Sequence, residues 1–156
     1  MGFLRSRSAV TPLRRVGMND SSAVSLSGGG RRPTIAQAVA LHRPEEPMHC
    51  IRPGVLADTA DSFLAAFGEA TGAVARGGDV LYAVKCNPEP AVLRALWAGG
   101  VRHFDVASPG EIRLIRQMFP DAVLHYMPPV KGRQAIRNAY RQYGVRDFVL
   151  DSREEL

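Results

Sequence analysis

Residues 79–150 contain four short apolar runs separated by stretches of helical periodicity. With Tyr82, Asp105, His125 and Phe148 as markers of the four runs, the intervals are 23, 20 and 23 residues. Strand, helix, strand at that beat predicts right-handed βαβ units and a parallel sheet, so the fold class is α/β. An open doubly wound sheet and part of a closed barrel both satisfy the pattern.

The expected elements follow from local chemistry. After a Pro53-Gly54 turn, residues 57–67 carry apolar side chains at helical spacing, and Gly77-Gly78 closes that element. The first strand is 79–84. Asn87 then caps a helix with Pro88 at its first position, and Gly99-Gly100 stops it after Ala98. Val92, Leu93, Leu96 and Trp97 share one face of that helix. A second strand covers 101–106. Ser108, Pro109 and Glu111 form a capping box ahead of a helix whose apolar stripe is Ile112, Leu114, Ile115 and Met118. Strands at about 122–127 and 145–150 flank a helix over 132–143. Ser152 and Glu155 predict a second capping box.

Residues 1–47 read as a flexible basic N-terminal extension, and 48–156 as the folded domain. The extension holds seven arginines against three acids, and Ser25 to Gly30 have linker composition. Within it, Thr34 caps a short helix reaching Leu41. The same arginine-rich, acid-poor composition fits an organellar transit peptide, a solvated tail, or a translated stretch upstream of a start at Met18. The chain carries +5 overall, but from residue 48 onward 13 basic residues oppose 12 acidic ones. That near-neutrality, without interleaved aromatics, argues against a nucleic-acid partner. No apolar run approaches the ~20 residues of a membrane span. Cys50 and Cys86 form no CxxC pair, and His42, His49, His103 and His125 show no metal-ligand spacing. Neither a disulfide framework nor a metal is expected, and a reducing, cytoplasmic setting fits.

One residue breaks the first apolar run. Asp79-Val80-Leu81-Tyr82-Ala83-Val84 ends on Lys85. Lysine is rarely buried without a partner, and burial favours its neutral, nucleophilic amine. A strand-end lysine also snorkels to solvent, so the spacing leaves both readings open.

The words around Lys85 carry a resemblance. Tyr82-Ala83-Val84-Lys85-Cys86-Asn87, Phe104 to Ile112, Tyr126-Met127-Pro128-Pro129-Val130-Lys131 and Asp151 to Leu156 occur in the order and at spacings compatible with one family. Residues 48–156 thereby resemble the ornithine/diaminopimelate/arginine decarboxylases, pyridoxal-phosphate enzymes with an alanine-racemase-like barrel. The resemblance selects the barrel over the open sheet. A whole (β/α)8 barrel takes roughly 250 residues. The implied architecture is therefore the first half of a pyridoxal-phosphate-binding TIM-type barrel, ending after about four βα units.

By the same resemblance, Lys85 is the catalytic residue that holds pyridoxal 5'-phosphate through its amine, and Asp105 lies beside the cofactor. Glu111 and Ser108 are explained as helix caps, Cys86 as a small buried hydrophobe, His125 as a core histidine, and Lys131 as facing solvent. The Lys-Cys-Asn-Pro and Pro-Val-Lys words, with Arg146-Asp147-Phe148, look like ornithine or lysine decarboxylases, although Pro128 departs from the usual pattern. The implied function is decarboxylation of a basic amino acid in polyamine synthesis, by a protein that is a homodimer at full length. A diaminopimelate or arginine decarboxylase, a racemase of the same fold, or a non-catalytic decarboxylase-like regulator are the alternatives. The family's phosphate loop, pyridine-pairing acid and dimer-supplied residues are expected downstream, so these 156 residues are expected to be inactive alone.

Overall fold

The computed structural model describes residues 33–72 and 78–155. The chain divides into two compact units, Met1–Cys50 and Ile51–Leu156. The composition argument for residues 1–32 and the Gly77 half of the Gly-Gly stop lie outside the described residues.

In the first unit, α1 spans Ile35–His42. Thr34 caps it as its position predicts: its Oγ1 accepts from Gln37 N–H, and Gln37 Oε1 accepts from Thr34 N–H. This reciprocal pair satisfies two of the amides that every helix start leaves without a partner.

The second unit opens with α2, Pro53–Thr71. Pro53 and Gly54 are its first two residues rather than a turn, because proline's fixed φ suits the first helical position. The helix stops at Gly72, well before the predicted glycine pair. Then come β1 Leu81–Ala83, α3 Pro90–Ala98, β2 His103–Val106, α4 Pro109–Met118, β3 Val123–Tyr126, α5 Arg133–Tyr143 and β4 Asp147–Phe148. The strands are two to four residues shorter than the apolar runs, since the ladder ends where the chain bends into each loop.

All neighbouring strands pair in parallel, in the order β1-β2-β3-β4. Strictly sequential order is what successive units of a barrel produce; a doubly wound sheet reverses order at a switch point. The register aligns Tyr82, Phe104 and Leu124 across three strands. Those residues, with Val106, Tyr126 and Phe148, face the helices. Trp97 of α3 stacks on Phe119 with ring centres 4.5 Å apart, and Phe104 lies beneath both. The core also takes in Val84, Leu93, Ile112, Ile115, Leu124, Ala139 and Val145.

Two helix-to-strand junctions use one device. Gly100-Val101-Arg102-His103-Phe104 and Gly144-Val145-Arg146-Asp147-Phe148 repeat the same pattern. Gly100 and Gly144 take φ of 95° and 67°, a region other residues seldom enter. Arg102 Nη1 donates to the carbonyls of Trp97 and Val101, and its guanidinium lies over the Trp97 ring. Arg146 repeats this with Tyr140 and Val145. Each arginine satisfies carbonyls at a helix end, the side of the dipole that favours a cation. Each also delivers the next residue, His103 or Asp147, to the sheet face away from the helices.

Candidate active site

The carboxyl ends of the strands converge on one rim, the end where barrel enzymes place their chemistry. Lys85 does not sit on β1. It lies in a 3-10 turn, Val84–Cys86, that follows the strand. Asn87 does not cap a helix at Pro88. Its Oδ1 accepts from Glu89 N–H at 3.0 Å, closing a side-chain turn that delays α3 until Pro90. Tyr82 Oη donates to the Asn87 carbonyl and pins this turn to the core.

Because the turn carries Lys85 off the sheet, its side chain is 62% exposed, the solvent-directed one of the two readings that the apolar run leaves open. Cys86 is likewise exposed rather than packed. Lys85 Nζ lies 3.7 Å from Asp105 Oδ2. The Asp105 side chain is 21% exposed, and its other oxygen, Oδ1, is buried without a hydrogen-bond partner. A buried carboxylate oxygen left unpaired costs free energy, roughly 1–3 kcal/mol for an ordinary polar group. Register explains the pairing: Ala83 is opposite Asp105, so the turn after Ala83 swings Lys85 over that carboxylate.

The neighbouring residues divide sharply. Ser108 Oγ caps α4 by accepting from Glu111 N–H, as predicted. Glu111 Oε2 accepts from Ala107 N–H at 2.7 Å, one residue before the cap, so the box is displaced by one position. Ser152 precedes a 3-10 turn, Arg153–Glu155; a backbone hydrogen bond and, after it, the Ser152 hydroxyl hold the Glu154 carboxyl below its usual range. The Glu155 side chain lies outside the described residues.

Two expectations are overturned here. Lys131 does not face solvent; its Nζ donates to the carbonyls of Pro128 and Val149, both at 2.7 Å. His125 is not a core histidine. Its ring stands on the face away from the helices, 3.0 Å from His103 Nδ1 through Nε2. Asp79 lies 3.4 Å from His103, and Asp147 lies 3.7 Å from His125. Burial pushes His125 below its ordinary pKa, opposed chiefly by Asp147. This polar row escaped the sequence reading, although a signal existed. His103 and Asp105 alternate in phase on one strand, and His125 and Asp147 keep that phase on the next two. Among the described residues no group of three or more His, Cys, Asp or Glu is placed to hold a metal ion. No helix among them is long and apolar enough to cross a membrane.

A primary amine at a strand's carboxyl end, held by a partly unsatisfied carboxylate, is the arrangement a carbonyl cofactor needs. Residues 61–156 match the family model described as "Pyridoxal-dependent decarboxylase, pyridoxal binding domain". The chain belongs to the pyridoxal-dependent decarboxylases.

The cofactor of this pyridoxal-binding domain is pyridoxal phosphate. The domain is 40% identical over 78 residues to the lysine/ornithine decarboxylase of Selenomonas ruminantium, an alignment covering 49% of this chain and 19% of that protein. The crystal structure of the lysine decarboxylase from the same organism matches with a TM-score of 0.59 at 24% identity, over 80% of this chain and 31% of the other. An SrLDC mutant in complex with PLP matches with a TM-score of 0.60 at 26% identity, over 80% of this chain and 30% of that one. The domain thus spans about a fifth of the curated relative's length. The barrel expected from the sequence is the fold these structures share with it.

The described residues fit the cofactor. Lys85 presents an accessible amine, and Asp105 has a buried oxygen with no partner.

Proposed function

We propose that the protein decarboxylates a basic amino acid, ornithine or lysine, with Lys85 as the catalytic amine and Asp105 as its partner. The observation that carries this reading is the 3.7 Å contact between Lys85 Nζ and Asp105 Oδ2 on the rim. The substrate class draws on the name of the 40% identical relative, a lysine/ornithine decarboxylase. The product would be a diamine of the kind that feeds polyamine synthesis. The full-length protein would be a cytoplasmic homodimer; the two exposed, unpaired cysteines suit a reducing compartment.

Pyridoxal phosphate, when bound, supplies a conjugated ring that accepts the electron pair freed as a carboxylate leaves as carbon dioxide. The chain's own residues do the rest. Lys85 attacks a carbonyl carbon only as the neutral amine, so it must surrender a proton. Asp105 Oδ2 is the nearest carboxylate oxygen to receive an N–H, and it orients Nζ along the rim. The Tyr82 and Asn87 contacts hold the Lys85 turn at fixed height above the sheet. Lys131 draws the loop after β3 onto the end of β4, shaping the rim opposite.

The test is carbon dioxide release from ornithine and from lysine by the full-length protein with pyridoxal phosphate. Release that vanishes in Lys85→Ala is expected. Undiminished release in that variant sinks the assignment.

A further inference from the structure

The inner face of the sheet carries a row of titratable side chains that the proposed reaction leaves unused. It runs Asp79, His103, His125, Asp147, ahead of β1 and across β2, β3 and β4. Asp105 lies on the same face, opposite His125 in register, with Lys85 above it. Among the described residues the charged groups facing the two rings are therefore three carboxylates, Asp79, Asp105 and Asp147, with Lys85 against Asp105.

Proton counting constrains this row. His103 Nδ1 and His125 Nε2 are 3.0 Å apart, and two bare lone pairs repel at that distance, so one proton lies between the rings. The outer nitrogens, His103 Nε2 and His125 Nδ1, each face a carboxylate at 3.4 and 3.7 Å. An N–H at each is favoured there. A pair with only two protons turns a bare lone pair toward Asp79 or Asp147, lone pair against anion.

We propose that His103 and His125 are positioning residues that share three protons over four ring nitrogens, placing one positive charge beneath Asp105 that offsets the crowded carboxylates and leaves Asp105 to hold Lys85. The role toward Lys85 rests on the reading of that residue given above; the charge on the pair does not. Burial, opposed chiefly by Asp147, lowers His125, so His125 is the ring that carries a single proton, on Nδ1 toward Asp147. Such a charge cannot be replaced by a ring-shaped apolar group. It acts through space, so a different cation at the same place restores it.

Two measurements on the full-length protein decide this. The first needs no variant: long-range proton–nitrogen spectra of the histidine rings at pH 6. Expected is His103 with protons on both nitrogens and His125 with one on Nδ1. A neutral His103, or His125 with its proton on Nε2, overturns the proposal. The second follows pyridoxal phosphate labelling of Lys85 at pH 6, where the pair is charged, trapped by cyanoborohydride reduction. Removing a nearby positive charge favours the ammonium form, so His103→Gln should slow labelling about threefold. His103→Lys should restore the rate. A rate unchanged by His103→Gln, or slowed equally by His103→Lys, overturns the positioning role. Absence of any label on wild-type Lys85 overturns that role together with the site reading, and the ring spectra then decide the charge of the pair by themselves.

Discussion

Lys131 Nζ donates to the Val149 carbonyl at 2.7 Å, joining the loop after β3 to the end of β4. It also donates to Pro128 O, so one ammonium ties two loop carbonyls on the rim. Lys131→Ala removes the charged donor from both. Hydrogen bonds from a charged group are worth roughly 1.5–3 kcal/mol, and water can replace part of this at a half-buried site. Denaturant melts should show a loss of about 1–2 kcal/mol. Pyridoxal phosphate labelling should remain on Lys85, which separates a rim-shaping lysine from the one proposed as catalytic.

Lys85 and Asp105 should respond unequally to substitution. Lys85→Ala should remove the pyridoxyl label and nearly all carbon dioxide release, because among the described residues Lys85 supplies the amine against Asp105. Asp105→Asn keeps the shape and loses the charge. A partly exposed ion pair is worth up to about 1 kcal/mol, or roughly fivefold in rate. Kinetics on the full-length variants should therefore show a modest decline for Asp105→Asn with labelling retained. Loss of label in Asp105→Asn would mean that the carboxylate does more than orient the amine.

α2 and α3 touch at backbone distance. A Cβ built on Gly99 would lie 2.3 Å from the Ala57 carbonyl oxygen, and the obstacle is main chain rather than a movable side chain. Gly99→Ala should cost about 3 kcal/mol, at the upper end of overpacking effects. Gly68 in α2 has nothing within 4 Å of its built Cβ. Gly68→Ala should raise stability by up to about 1 kcal/mol, since glycine is a poor helix former. Opposite signs are expected in paired thermal melts; equal signs would mean that the helices can slide apart.

The alkaline limb of stability should belong to two tyrosines. Burial raises Tyr82 and Tyr126 above the ordinary 10.0; Cys86 adds to the first and Glu111 to the second. Above pH 10 the unfolded chain gives up these protons before the folded one does. Stability is thus fully present below about 10 and falls as pH rises from there toward the folded values. Tyr126→Phe should flatten that limb in pH-dependent denaturation. For His125, lowered in the fold, the sign reverses: the unfolded state binds the proton first as pH drops below 6.5, and stability declines on the acid side.

Residues 1–156 expressed alone with pyridoxal phosphate should release no carbon dioxide from ornithine or lysine. Closure is what buries both edges of a parallel sheet and shapes the rim, and among the described residues β1 and β4 each pair on one side. Release that disappears in Lys85→Ala would show instead that these four strands suffice.

Sequence by itself determined the elements of the second unit and their parallel order, because those rest on neighbours a few positions apart. The Thr34 and Ser108 caps, the glycine stop after Ala98 and the apolar stripe of α4 are all local, and each formed where its spacing placed it. The sequence also singled out Lys85 and Asp105, through the words around them. Only tertiary structure decided where side chains point at loop and strand ends. Lys85 left the sheet because Asn87 bonds Glu89 instead of capping a helix at once. Lys131 turned inward because the Val149 carbonyl, 18 positions on, accepts from its ammonium. His103 and His125, 22 positions apart, became a pair because parallel register sets adjacent strands side by side. Contacts at such separations depend on how strands align, a quantity that no local pattern of residues contains.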